Sequence, residues 1–527
     1  MASNSFQPPR VRVFHGASEV AAITNSSSVS CLTGEAMAAP LILRPPPGCK
    51  GGLSLAVSDV VLAILPDAEM PAWLEREALL VEEEVDIGGC AVIPGFVDAH
   101  SHPVWAGDRM GEFEQKLAGA SYMEIHAAGG GIHATVAATN AASEEDLLAS
   151  FLERAEAALG CGTTTLEAKS GYGLSLEGEL KMLRVIQTAK EQLSDRLTIS
   201  GTYCGAHAIP PGQTSKEACA EVLRQLEVLK TLKERGELSC LENVDVFAEG
   251  GVFGLEEARR ILRAGQAAGL HGNFHGEELS CLGTAEMGAE EGALAISHLE
   301  EVSSAGIQAM AKAGTAAVFL PTTAYLLQLR SPPARAMIQA GVPVALGSDF
   351  NPNAYCYAMP LVLNLACRLL GLRPAEALVA ASLNATYALN RGHSHGALHE
   401  GRAADFLVLN SPRWQAIVYQ LGCHADLIRF VVKNGLSPRH LPMPHCWRLR
   451  SLSWNLNVII ASSLMERLLE PFVELKLDLE DPSGQLTQRT LQLNLQQFHL
   501  LRLNVARAVS QLYKARGLLP RATKNPL

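Results

Sequence analysis

Between residue 91 and about residue 390, eight short apolar runs alternate with longer stretches of helical periodicity. That rhythm selects parallel strands joined by covering helices, because parallel neighbours need a long crossover rather than a tight hairpin. The runs cover residues 92–99, 163–169, 197–205, 244–249, 270–275, 295–299, 316–322 and 342–349. The intervening helices are predicted over 144–159, 176–193, 216–235, 255–268 and 304–313. Capping chemistry marks the first of them, with Ser143 set three residues before Asp146 and Gly160 expected to stop it. Eight alternations in roughly 260 residues fit a closed (β/α)8 barrel of the TIM type. An open doubly wound sheet would need a glycine-rich phosphate turn after its first strand, and none is present.

A barrel of this kind collects its chemistry where strands end and the following loops begin. The polar residues obey that demand. His100 and His102 close the first run, Lys169 and Tyr172 follow the second, and His207 follows the third. His275 ends the fifth with Glu278 one turn beyond, His298 lies on the sixth, and Asp349 ends the eighth, followed by Asn351 and Asn353. Residues i and i+2 of a strand share a face, so His100 and His102 can meet one metal ion. With His275 and Asp349 they make a three-imidazole, one-carboxylate set that suits zinc or ferrous iron with a position left for water. Such a water has its pKa lowered from ~15.7 to about 7 and can attack a carbonyl or amidine carbon. Glu278, three residues after His275, is the expected proton shuttle, and His298 is expected to stabilise an oxyanion or help activate water. Binuclear sites on this strand plan commonly carry a modified lysine on strand four. Here strand four ends in Glu249 and Lys169 lies two strands away, so a mononuclear site is favoured, with Glu249 able to bridge a second ion.

Composition narrows the partners. The 527-residue chain is 48% hydrophobic, enough for a large barrel and smaller modules. A net charge of −11 without a basic stripe argues against nucleic acid and anionic membrane. A small-molecule substrate is expected. The first residues lack a signal-peptide pattern and no 18-residue apolar run follows, so a cytoplasmic location is expected. Twelve cysteines without Cys-x-x-Cys spacing read as reduced core residues.

Five stretches in order carry a resemblance: Val97-Asp-Ala-His-Ser-His-Pro-Val-Trp-Ala-Gly107, Ala128-Gly-Gly-Gly-Ile-His133, Lys169-Ser-Gly-Tyr-Gly-Leu174, Tyr203-Cys-Gly-Ala-His207 and Gly347-Ser-Asp-Phe-Asn-Pro-Asn353. Over residues 86 to 433 the chain resembles the imidazolonepropionase family of the amidohydrolase superfamily. The resemblance implies metal-dependent hydrolysis of 4-imidazolone-5-propanoate to N-formimidoyl-L-glutamate with one zinc or iron ion, and a homodimer. It implies that Arg109 and Tyr172 hold the substrate's propanoate, that His207 and Glu278 contact the ring, and that Asn351 meets the product. A charged fork such as Arg109 suits a flexible carboxylate, and the flanking Gly171 and Gly173 let the Tyr172 loop approach a ligand. A nucleobase aminohydrolase of the cytosine or guanine deaminase type shares the His-x-His, His-x-x-Glu, His and Asp pattern. Arg109 and the Asn351–Asn353 loop weigh against it. An inactive barrel serving as a scaffold for the tail is the rival outside enzymes.

The flanks depart from that family. Residues 1–85 read as a divergent, partly disordered segment, with Pro8-Pro9, Ser26–Ser28 and Pro45–Pro47 interrupting it and strands expected only near 53–57 and 60–65. Together with residues 393–435 the segment is expected to complete a small composite β-sandwich beside the barrel of residues 86–392. The tail has an alternating pattern over 454–460, 472–479 and 486–495, a turn at 481–484 and an amphipathic helix over 496–515. Over about residues 450–520 it resembles a COMM domain through Trp454, Ser462-Ser463, Glu470-Pro471 and 498–505, which implies an α+β module that pairs with other COMM-domain proteins.

Overall fold

A computed structural model describes residues 9–48, 51–119, 130–420, 428–433, 448–459, 470–480 and 486–494. Eight parallel strands follow one another in sequence order: β1 (Phe96–Asp98), β2 (Thr163–Lys169), β3 (Thr198–Ala206), β4 (Leu241–Ala248), β5 (His271–Gly276), β6 (Ala295–His298), β7 (Ala316–Phe319) and β8 (Val344–Leu346). Backbone bonds just beyond the ends of β8 and β1 close the ring: Asp349 N donates to His100 O at 2.9 Å and His102 N to Phe350 O at 2.9 Å. Closure depends on Gly347, since a Cβ there would lie 2.9 Å from the His100 backbone nitrogen. The buried Asp98 carboxylate accepts from Ser348 N at 2.8 Å and fixes the same seam.

The helices match their sequence signals closely. The helix Glu144–Gly160 is capped by the Ser143 hydroxyl accepting from Asp146 N, and Gly160 is its last residue rather than its stop. Ser304–Ala313 ends at Gly314, whose φ of 75° is the left-handed cap glycine accommodates. The first apolar run is the exception. It divides at Gly95, with Ala91–Pro94 in a different sheet from β1, because Pro94 cannot donate in a ladder and Gly95 passes so close to Thr164 that a side chain would collide.

Among the described N-terminal residues the strands expected near 53–57 and 60–65 are present, and further strands join them. Arg10–Ala17, Leu53–Val57, Val61–Pro66 and Leu80–Asp86 form a four-stranded sheet. Glu19–Ile23 and Leu41–Leu43 join Ala91–Pro94, Phe406–Leu409 and Ile428–Val432 in a five-stranded one. Phe14, Leu55 and Val61 pack with Val92, Phe406 and Val408 between the sheets, and the rings of Phe14 and Phe406 meet edge to face at 5.0 Å. Arg402 clamps the two flanks: its buried guanidinium donates to Gly392 O at 2.6 Å and to Val29 O at 2.5 Å. Arg402→Met leaves those carbonyls without donors, and a loss of about 3 kcal/mol is expected, read as a lower urea midpoint at an unchanged m-value.

Residues 1–441 form one compact unit and 442–527 a second. In the second, Arg448–Ile459, Glu470–Glu480 and Leu486–Asn494 make an antiparallel sheet in that order, with Trp454 opposite Leu475 and Leu475 opposite Leu491. The helix expected over 496–515, the turn at 481–484 and Ser462-Ser463 lie outside the described residues, as do Ala128 and Gly129. Among the described residues no disulfide joins two cysteines, and no helix is long and apolar enough to cross a membrane.

Candidate metal centre and active site

At the C-terminal mouth of the barrel, three buried imidazoles converge. His102 Nε2 lies 3.2 Å from His275 Nε2, and the ring of His100 is centred 4.5 Å from that of His275. Asp349 Oδ1 faces them from the end of β8, 3.5 Å from His100 Nε2 and 3.8 Å from His102 Nε2. Two of the three outer nitrogens are occupied, while His102 Nδ1 is buried without a hydrogen-bond partner. His100 Nδ1 pairs with Ser297 Oγ at 2.7 Å, and His275 Nδ1 with Asp245 Oδ1 at 2.9 Å. Asp349 Oδ2 accepts from Thr323 Oγ1 at 2.5 Å.

This arrangement fits a cation. His100 Nε2 is buried with no hydrogen-bond partner, an orphan that costs roughly 1–3 kcal/mol unless something binds it. Burial above all pushes His100 and His102 well below the usual imidazole range, so both are neutral, as ligands must be. Nitrogen donors with one carboxylate suit zinc or iron better than magnesium or calcium.

A cavity of about 130 Å³ opens on this cluster. His102, His275 and Asp349 line it, and so do Arg109, Tyr172, His207, Glu278, His298 and Asn351, whereas His100, Lys169 and Glu249 do not reach its wall. His207 stacks on His102 with centroids 4.6 Å apart and planes 11° apart, held by its Nδ1 against Gly171 O at 3.1 Å. Arg109 sits in the loop after β1 with Nε donating to Thr135 Oγ1 at 3.1 Å. Asn351 Nδ2 donates to Asp349 O at 2.7 Å.

Glu278 Oε2 lies 3.6 Å from His298 Nε2. Burial pushes the Glu278 carboxyl up to about 7, against the opposing pull of His298. On the far side of His298, the buried Glu300 carboxylate lies 3.7 Å from Nδ1. Backbone strain concentrates here: Glu277, His298 and Asp349 have φ of 55°, 77° and 49°, conformations that non-glycine residues adopt only when their surroundings impose them.

Glu249, the residue able to bridge a second ion, turns elsewhere. Its carboxylate accepts from Leu279 N at 2.9 Å and from the Ser280 hydroxyl, anchoring the loop that carries Glu278. Sequence reasoning missed Asp245, Ser297, Thr323 and Glu300. A carboxylate inside the apolar run of β4 was the available signal for Asp245.

Residues 91–435 match the model of the amidohydrolase family, and 445–508 that of the COMM domain. A Xenopus tropicalis protein named "probable imidazolonepropionase" is 55% identical over 355 residues, which span 67% of this chain and 82% of that one. The human protein of the same name is 54% identical and covered to 83% of its length. The chain belongs to the imidazolonepropionase family of amidohydrolases. Among solved structures, an adenosine deaminase from Xanthomonas campestris with bound zinc superposes at a TM-score of 0.56 and 18% identity, covering 82% of this chain and 94% of that one. At that identity the likeness carries the barrel fold alone. The amidohydrolase unit is followed by a COMM domain, whose three described strands fall where the sequence alternation puts them.

Proposed function

We infer that this chain is an imidazolonepropionase, a metal-dependent hydrolase that adds water across the ring amide of 4-imidazolone-5-propanoate and yields N-formimidoyl-L-glutamate. The observation that carries the reading is one small cavity joining a three-histidine, one-aspartate cluster to a guanidinium. His100, His102, His275 and Asp349 would hold one zinc or iron ion. The ion supplies Lewis acidity and a lowered pKa for a water in the open position.

The chain's own residues do the rest. Arg109 and Tyr172 bind the propanoate, whose negative charge the guanidinium pairs with a charge-assisted bond. His207, flat against His102, and Glu278 set the ring over the cluster. Glu278 accepts the proton released from water and returns it to the ring nitrogen as the C–N bond breaks. His298, poised between Glu278 and Glu300, supports the charge that develops on the carbonyl oxygen. Asn351 contacts the opened product. A cytosolic location, a homodimer, and pairing of the COMM domain with other COMM-domain proteins complete the proposal.

Freshly generated 4-imidazolone-5-propanoate tests it, followed by ultraviolet absorbance with the metal-loaded protein. Rapid decay is expected, without the ammonia release that a deaminase would give; no decay from folded, metal-bound protein overturns the reading. Arg109→Ala is expected to raise KM roughly 10- to 100-fold with kcat little changed, the effect of losing a charged hydrogen bond worth about 1.5–3 kcal/mol. Initial-rate kinetics over a range of substrate concentration read it directly.

A further inference from the structure

Behind the metal cluster lies a buried ionic chain that touches no part of the cavity. Lys169, at the end of β2, is fully buried. Its Nζ lies 2.7 Å from Asp245 Oδ2 and 2.9 Å from Glu167 Oε1. The other oxygen of Asp245 accepts from His275 Nδ1 at 2.9 Å and from His275 N at 3.1 Å. Glu167 Oε1 in turn accepts from Thr202 Oγ1 at 2.6 Å and Asn273 Nδ2 at 3.0 Å. Four strands therefore contribute to one row of groups that ends on an imidazole of the cluster.

We propose that Lys169 is a positioning residue for the metal centre: braced by Glu167, its ammonium fixes Asp245, and Asp245 fixes the ring of His275. The proposal rests on the assignment of His275 as a ligand. A ligand histidine presents a lone pair at one nitrogen only when the other carries the proton, and a carboxylate acceptor at Nδ1 enforces that tautomer. Asp245 performs the task only if its plane is held, and Lys169 holds it from the opposite oxygen. The charges also require the lysine. Two carboxylates buried side by side without a cation would repel each other across the interior, whereas Lys169 neutralises one and bridges both. Burial opposes the charge on Lys169, but Asp245 and Glu167 outweigh it, so its pKa is raised. Cys204, Asp245 and His275 place three potential ligand atoms within 4.8 Å of one another. The ammonium against Asp245 is already the cation of that group.

The test measures metal rather than turnover. Zinc affinity of the full-length protein is determined by competition with a chromophoric chelator, and the visible spectrum of the cobalt-substituted protein reports ligand geometry. Lys169→Met is expected to bind zinc about 10- to 100-fold more weakly, the usual cost of losing an outer-shell partner, with an altered cobalt spectrum. Asp245→Asn should behave alike, and the double variant should lose little more than either single one, because both act through one chain. Lys169→Gln, whose amide can still donate to Asp245, should recover part of the affinity; it also carries the test if Lys169→Met does not fold. Folded variants that bind zinc within about twofold of wild type with an unchanged cobalt spectrum, or losses that multiply in the double variant, overturn the proposal. His275→Ala separates the two levels: if it binds zinc as tightly as wild type, the ligand assignment falls and the role of Lys169 with it.

Discussion

Glu278→Gln is expected to lower kcat by about 10²- to 10⁴-fold, the range for a lost general acid–base group. Glutamine keeps the shape of the side chain and cannot take up a proton. The loop geometry should survive, because Glu249 holds Leu279 and Ser280 through their backbone nitrogens independently of residue 278. Metal content should survive too, since the ligand set does not include Glu278. The wild-type pH profile supplies a second check. A carboxyl raised by burial is protonated below its pKa and able to accept a proton only above it, so activity should fall as pH drops through that value. In Glu278→Gln that acid limb should disappear from the residual rate. A variant that keeps full kcat with its metal bound would transfer the proton step to His298 alone.

How far such residues can be read from sequence depends on where they lie along a strand. His100, His102, His275 and Asp349 sit at or just past strand ends, where a barrel has loops, and a polar residue closing an apolar run is conspicuous there. Asp245 lies in mid-strand. In a parallel sheet both faces of a strand are covered, so alternation does not say which buried polar residue faces the site. Beyond the strands at 53–57 and 61–66, the N-terminal sheets were obscure for a different reason. Glu19–Ile23 pairs with Ala91–Pro94, about seventy residues onward, and the serines and prolines around it leave no local periodicity to read. Long-range pairing supplies the order that local propensity lacks. The division of the first apolar run at Pro94-Gly95 shows the converse, a continuous hydrophobic stretch shared between two sheets.

Removing one ligand should be more damaging than removing the proton shuttle. His100→Ala deletes the most enclosed imidazole of the cluster, fully buried between Ser297 on one nitrogen and the unpartnered Nε2 facing Asp349. The remaining His102, His275 and Asp349 would offer three donors with a gap on the inner side. Loss of the ion is expected to cost at least about 10⁴-fold in kcat/KM, since both the Lewis acid and the acidified water go with it. Chelation of wild-type protein should produce the same loss, reversed on adding zinc or iron(II); His100→Ala should stay inactive on the same additions. The comparison is informative because of the buried polar atoms. Without an ion, His100 Nε2 in the wild-type chain is an unsatisfied group, so ion binding should also stabilise the fold, by RT ln(1 + [L]/Kd). Thermal unfolding of stripped and reloaded protein should therefore shift with free metal concentration in wild type and stay fixed in His100→Ala. An equal shift in both would place the ion elsewhere than on this cluster.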